Sequence, residues 1–488
     1  MTTNSSQSLI KQLAQVLPNG TGIGDEALAY ALVAAPVLLY YVSPNLILAA
    51  FWTVIFLFVV WWRLDLGLLT VLMTAPFYRF PKEIDLSFGA ALLGRSVPLD
   101  ISLAEYALWV SVVAWCLRRI VPPPESERHQ SAIAPRFGWL TWAPPAALVA
   151  VATLSLPFTT YLHVALREYR VIVVEPALYY LLLGHTLQSS RDVARFLYAM
   201  VALGLGIALF GFYHYFIIGE VEATGGVRRI LAVYHSPNAL ALFWGRIIPV
   251  AITLAAVPLM TRRAWRPILF PAGAAIAMLL CFYLTYSRGA FIGIFAALLF
   301  LLLAMRQRTG LVVLVASFLA LLLASPFLPW ERLLSPTPVI QRLYVWQVGI
   351  AMALDHPLTG VGLDNFLYYY PQYMLPQAEL EPDISHPHNL VLDFWIRLGI
   401  LGLATLVWLN YQFWRTGLWL LKQKVSAQER TLALALMASM VDFLAHGLID
   451  NSYFLIDLAY LFWITFALLL VLARQTGASV PEAGVASV

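Results

Sequence analysis

Charge is what this sequence has least of. Only 11% of its 488 residues are Asp, Glu, Lys or Arg, while 61% are hydrophobic, against about 25% and about 45–50% in soluble domains. That is too little charge to cover a water-facing surface, so a water-soluble fold is excluded. Cysteine is nearly missing as well. Cys116 and Cys281 sit far apart inside apolar stretches, which removes a disulfide framework and a thiolate metal site. A single-signed charge excess is also lacking: the net charge is +4, and the bases are scattered along short loops rather than gathered in a nucleic-acid-binding patch. The first 26 residues carry Lys11 as their only base and no small-residue cleavage site after a short apolar core, so no removed signal peptide is expected.

What the sequence has in abundance is apolar runs. A bilayer core about 30 Å thick needs roughly 20 apolar residues per helix, and such runs recur near 27–43, 45–62, 64–78, 101–117, 138–156, 168–187, 193–218, 238–259, 267–285, 289–305, 310–328, 391–414, 430–446 and 453–473. The expected fold is therefore an all-α polytopic membrane protein of about 12 to 14 transmembrane helices. The third run is short and the sixth carries Arg170 and Glu175, so these two are the weakest spans. Residues 1–26 form an N-terminal segment, 27–328 hold the first eleven helices, 329–390 make a large outer loop with short helices, 391–473 hold the last three helices, and 474–488 form a tail.

Basic residues set the orientation. Arg118, Arg119, Arg128 and Arg136 fall in one loop, Arg191 and Arg195 in another, then Arg262, Arg263 and Arg266, then Arg306 and Arg308, then Arg415, Lys422, Lys424 and Arg430. These loops alternate along the chain and by the positive-inside rule face the cytoplasm, with both termini. Histidine plays no part in that rule, yet seven of the nine histidines (His163, His214, His235, His356, His386, His388 and His446) map to the opposite face, leaving His129 and His185 inside. Interfacial histidines explain such a bias in one way, and an outward-facing site in another.

The outer face has further features of a site. Ser236-Pro237-Asn238, Ser287-Arg288-Gly289 and Pro387-His388 each stand where a span begins, and helix N-termini attract anions. Arg228, Arg229, Arg288 and Arg342 are well placed for a phosphate or diphosphate, because a guanidinium keeps its charge and grips oxygen pairs in a fork. Arg332 reads better as a snorkelling interfacial side chain. Gly289 and Gly293 form a small-xxx-small pair that allows close helix approach. The aromatics Trp330, Tyr344, Trp346, Phe366, Tyr368, Tyr369, Tyr370 and Tyr373 argue for order in the long loop, as an interfacial belt or as a sugar-stacking platform.

The order of motifs resembles the bacterial O-antigen ligase and O-antigen polymerase-like membrane proteins over about residues 225–463. It rests on Arg228-Arg229-Ile230-Leu231 and His235-Ser236-Pro237-Asn238-Ala239-Leu240, on Tyr286-Ser287-Arg288-Gly289-Ala290, and on Arg342 and Trp346 ahead of His356-Pro357-Leu358-Thr359-Gly360-Val361-Gly362-Leu363-Asp364-Asn365-Phe366. His388-Asn389-Leu390-Val391-Leu392 and Leu398-Gly399-Ile400-Leu401-Gly402 complete it. The resemblance implies transfer of a glycan from an undecaprenyl-diphosphate carrier to an acceptor hydroxyl on a lipid core, a glycan or a protein. The reaction would run at the outer face of the bacterial inner membrane, among membrane lipid, with no metal or other cofactor and no nucleic acid. Carried over to this chain, His388 orients or deprotonates the acceptor, Arg288 and Arg342 clamp the diphosphate, and Arg228, Arg229, Asn389 and His446 assist in binding; His386 ranks below His388. One departure stands out. The family often carries an acid two positions before the glycine of its Gly-Ile step, where this chain has Arg397, so His388 lacks that carboxylate and Asp393 replaces it only approximately.

Two other functions compete. A metal-dependent oligosaccharyltransferase-type enzyme would use Glu83-Ile84-Asp85 in the first large outer loop, and a flippase or transporter for lipid-linked glycans would place ionisable residues at mid-membrane, which most of the spans lack.

Overall fold

The computed structural model describes residues 23–84, 99–123, 139–224, 227–260, 266–307, 312, 337–376 and 384–476. Most of the expected N-terminal segment, the eleventh span apart from residue 312, Trp330, Arg332, nearly all of the tail, and Asp85, Arg128, His129, Arg136, Arg262, Arg263 and Arg308 lie outside the described residues. The described chain is overwhelmingly helical. Hydrocarbon offers backbone groups no partner, and a helix satisfies them within one segment. Among the described residues five helices are long and apolar enough to cross a membrane (Thr141–Phe158, Ser190–Ile218, Pro237–Ala256, Leu390–Lys422 and Ile456–Gln475), and shorter apolar helices accompany them. The protein is an all-α, multi-pass membrane protein.

The chain divides into two compact units, the first formed by Met1–Arg136 with Leu182–Gln188. It contains α1 (Ile23–Val42), α2 (Leu46–Trp62), α3 (Leu64–Thr74) and α4 (Leu103–Ile120), with a hairpin of β1 (Lys82–Ile84) and β2 (Leu99–Ile101). Asn45 caps α2 by accepting from the Leu48 amide. At the other end Arg118 donates to the carbonyls of Trp61 and Trp62, both at 2.8 Å, supplying the cationic partner that a helix C-terminus lacks. The short third span is an 11-residue helix that tightens into a 3-10 turn at Ala75–Phe77, where Pro76 falls.

The second unit comprises Phe137–Leu181 and Ser189–Val488. Here α5 (Trp139–Ser155) is followed by α6 (Leu162–Glu168), which runs through a π-helical stretch, Tyr169–Val174, into α7 (Glu175–Thr186). The charges in this sixth span are reconciled by pairing: Arg170 Nη1 lies 3.0 Å from Glu175 Oε1, as intramembrane charge requires. Next come α8 (Ser190–Tyr213), the hairpin β3 (Glu222–Thr224) and β4 (Val227–Arg229), α9 (Pro237–Met260), α10 (Arg266–Tyr283) and α11 (Arg288–Ala304). The long loop contributes α12 (Thr337–Asp355) and α13 (Phe366–Tyr373), and α14 (Leu390–Lys422), α15 (Ala427–Gly447) and α16 (Ile456–Gln475) close the unit.

Two glycine contacts position the site. A Cβ on Gly289 would come within 2.9 Å of the His446 ring, and one on Gly293 would overlap Asp442. The small-xxx-small pair thus lets the start of α11 press on the last turns of α15. The second contact lies within α14, which breaks at Gly399 (φ 69°, ψ −166°). Its freed groups bond to the preceding loop, with Val361 N donating to Ile396 O at 2.7 Å and Ile400 N to Pro357 O at 2.9 Å. Gly360, also at φ 69°, sits so close to this break that any Cβ would strike the Ile396 carbonyl. Thus the His356–Phe366 motif is a wedge seated in a broken helix. Val345, Val348 and Met352 of α12 and Phe366 and Tyr370 of α13 pack with Ile384 and Ile396 above it.

Candidate active site

The strand of sequence before α14 carries the histidines, and its conformation is fixed by its neighbours. Asn389 is the N-cap of α14: its Oδ1 accepts from the amides of Val391 and Leu392, both at 3.0 Å, while its Nδ2 donates to Leu448 O at 2.8 Å. One side chain therefore starts the helix and ties it to the segment after α15. His388 itself has a positive φ of 49°, an uncommon conformation for a residue with a Cβ, and its carbonyl is held by Trp346 Nε1 at 3.3 Å. Strain of this kind persists only where the surroundings enforce it.

His388 has its carboxylate, but not where the sequence suggested. Its Nδ1 lies 2.9 Å from Asp450 Oδ1, a residue in the turn between α15 and α16. Asp393, the approximate substitute, is instead taken by Arg397 at 2.6 Å. The same Asp450 oxygen lies 3.8 Å from His386 Nε2 and accepts from the Asn451 amide at 2.9 Å. Asp450 Oδ2 receives Arg342 Nη2 at 3.3 Å. Burial alone would raise the Asp450 carboxyl; its contacts with His388 and His386 and the Arg342 guanidinium outweigh it and hold the group well below the usual carboxylate range. Burial, reinforced by His388, holds His386 below the ordinary histidine range. No hydrogen bond to His388 Nε2 is made by the described residues, and the side chain is 23% exposed. A neutral His388 that donates from Nδ1 to Asp450 keeps a lone pair on Nε2.

The arginines divide by how fully the protein uses them. Arg229 is buried and satisfied on every side: Nε donates to Thr285 O at 2.7 Å, Nη1 to Glu222 Oε1 at 3.0 Å and Nη2 to Asn238 Oδ1 at 2.8 Å. It braces the β3–β4 hairpin against α9. Arg228 lies over the Tyr215 ring at 5.4 Å on the exposed side. Arg342 is 25% exposed, and among the described residues its side-chain hydrogen bond is the one to Asp450. Arg288 is half-buried at the first position of α11, where Ser287 makes no side-chain cap. Its neighbour Gly289 abuts His446 and Ile449, which brings this helix start to the same end of α15 as Asp450. His446 is fully buried, and neither ring nitrogen has a hydrogen-bond partner among the described residues.

Deeper in the unit the helices are more ionisable than the sequence reading held. Arg246 of α9 reaches Asp442 at 3.4 Å and Ser452 O at 2.8 Å, and Asp457 of α16 accepts from Tyr234 at 2.6 Å. A second buried group joins Arg397 to Glu168 at 2.6 Å and to Asp393 at 2.6 Å, with Arg397 Nη2 also reaching Ser385 O at 3.4 Å. Neither group was legible as such. Of the metal reading, Glu83 pairs across the hairpin with Asp100, and Asp85 lies outside the described residues. Among the described residues the three side chains close enough to share a metal ion are His386, His388 and Asp450.

The site of this helical membrane protein is thus a histidine–carboxylate pair with Arg342 on the same carboxylate. Residues 273–407 match the family model described as O-antigen ligase, so over that segment the chain is O-antigen ligase-like, which supports glycan transfer or polymerisation in general. No curated protein matches the chain. The matched segment contains Arg288, Arg342, His386 and His388 and ends before Asp450.

Proposed function

We propose that this protein transfers a glycan from an undecaprenyl-diphosphate carrier to an acceptor hydroxyl at the outer face of the membrane, with both termini cytoplasmic and without a metal. The observation that carries the reading is the 2.9 Å contact between His388 Nδ1 and Asp450 Oδ1. The carboxylate fixes the imidazole with its proton on Nδ1, and Nε2 takes the proton of the acceptor hydroxyl. As that oxygen bonds to the anomeric carbon, the bond from the carbon to the diphosphate oxygen breaks and negative charge collects on the leaving group. Arg288, Arg342 and the amide-rich start of α11 stabilise that charge, and Arg228 approaches from the exposed side. His446, fully buried against Gly289, serves the site from behind by seating the start of α11 against α15. Asn389 and Arg229 support the reaction by holding the loops in place.

The test is transfer from purified lipid-linked glycan by the full chain in detergent. His388→Ala and Arg288→Ala should each abolish it with the fold intact, and normal transfer by both would sink the assignment. A second reading, metal-dependent transfer, is favoured by the grouping of His386, His388 and Asp450. Chelation separates the two, since transfer that survives excess EDTA leaves the histidine as a base.

A further inference from the structure

We propose that His386, His388 and Asp450 form a site for one divalent transition-metal ion of the zinc class, and that its occupancy switches transfer off. The inhibitory half rests on the reading of His388 as the base; the site itself does not. Two imidazole nitrogens and one carboxylate oxygen are the donor set that zinc takes, and that magnesium and calcium, which require oxygens, do not. At metal–ligand distances of about 2.1 Å, tetrahedral ligand atoms lie roughly 3.4 Å apart. The contacts of His388 Nδ1 and His386 Nε2 to Asp450 Oδ1, 2.9 and 3.8 Å, bracket that value, and all three donor atoms lie within 4.8 Å of one another. A small adjustment of exposed histidine side chains admits the ion.

The surroundings are those of a supported metal site. Ligands are held by a second layer of hydrogen bonds: His386 Nδ1 lies 3.0 Å from Ser385 Oγ, and Asp450 Oδ2 is held by Arg342. The backbone of both histidines is fixed, through Trp346 on the His388 carbonyl and Arg397 on the Ser385 carbonyl. Both imidazoles remain partly exposed, at 24% and 23%, so an ion reaches them from outside and leaves an open coordination position.

Inhibition follows from the tautomer. Transfer needs the His388 proton on Nδ1 and the lone pair on Nε2. A metal on Nδ1 takes the lone pair there, so the single proton of the neutral ring moves to Nε2, and the acceptor hydroxyl loses its base.

The experiment titrates the full chain in detergent with zinc and, separately, with magnesium by calorimetry. One zinc per chain is expected, no magnesium binding, and affinity for zinc at least tenfold weaker in both His386→Gln and His388→Gln. Equal zinc affinity in all three proteins overturns the site. In the transfer assay zinc should stop the wild-type reaction and EDTA restore it, while His386→Gln, compared with its own zinc-free rate, should need at least tenfold more zinc. Zinc that binds these groups but stimulates transfer overturns the switch and the metal-independent reading together, with the site still standing. Zinc binding by a chain that transfers nothing under any condition overturns only the functional reading.

Discussion

Two ionic clusters flank the start of α14, one on the segment just before it and one on its own Asp393 and Arg397, and they are built to opposite specifications. Around Asp450 the partners are a quarter exposed, 25% for Arg342, 24% for His386 and 23% for His388, and their hydrogen-bonding capacity is only partly used. Around Arg397 the exposure falls to 3%, with Asp393 at 0% and Glu168 at 9%, and the guanidinium is shared among these two carboxylates, the more exposed Asp364 at 4.0 Å and a backbone carbonyl. Buried charge must be compensated completely or it destabilises the fold, whereas a site that receives substrate must keep donors and acceptors in reserve. The difference teaches that ionisable residues in this helical unit are of two kinds, and that access from outside, rather than charge, distinguishes them.

The sharpest way to break that comparison is to remove one member of each cluster. His388→Ala should lower transfer by about 10² to 10⁴-fold, the range of a lost general base, and leave the thermal unfolding midpoint in detergent unchanged. Arg397→Ala should do the reverse, destabilising the chain by about 3–5 kcal/mol because two carboxylates stay buried without their cation, seen as lost accumulation and an early melt. If Arg397→Ala folded normally and lost transfer alone, the division would be wrong. Asp450→Asn tests the tautomer. The amide donates to Nδ1, drives the proton to Nε2 and should cost at least about tenfold in transfer, with a lower unfolding midpoint at neutral pH because the ionic contacts to His388 and Arg342 are lost.

A finer contrast lies between two arginines that look alike in sequence. Arg342→Ala should weaken transfer about 10 to 100-fold through loss of charge stabilisation on the leaving group, while Arg229→Ala should register mainly as reduced stability, since Thr285, Glu222 and Asn238 all lose their partner. The smallest effect expected is on pH dependence. Asp450 is held well below its ordinary range, so the stability it contributes is complete above pH of about 4 and is lost as acid protonates it in the folded state. Unfolding curves recorded from pH 7 downward should fall in that window for the wild type and less steeply for Asp450→Asn.

Much of the site was legible before any coordinates, and the part that was not shares one cause. His388, Arg288 and Arg342 stand in local motifs, where residue type and neighbours carry the signal. Asp450 is separated from His388 by two long helices, and its one sequence cue was a polar Asp450-Asn451-Ser452 break between apolar runs. Likewise Arg397 read as a missing acid, when it is the centre of a buried cluster whose carboxylates come from its own helix and from Glu168, more than two hundred residues away.

By itself the sequence determined the solvent of this protein, because 11% charge and repeated apolar runs leave a helical membrane protein as the stable outcome. The small pair at Gly289 and Gly293 was equally readable, being local. Only the tertiary structure decided which carboxylate holds His388, which arginines are consumed by the fold, and that α14 breaks at Gly399 to seat the preceding loop. Those choices depend on which surfaces meet, and a one-dimensional pattern carries the spacing of residues along the chain but not their partners across it.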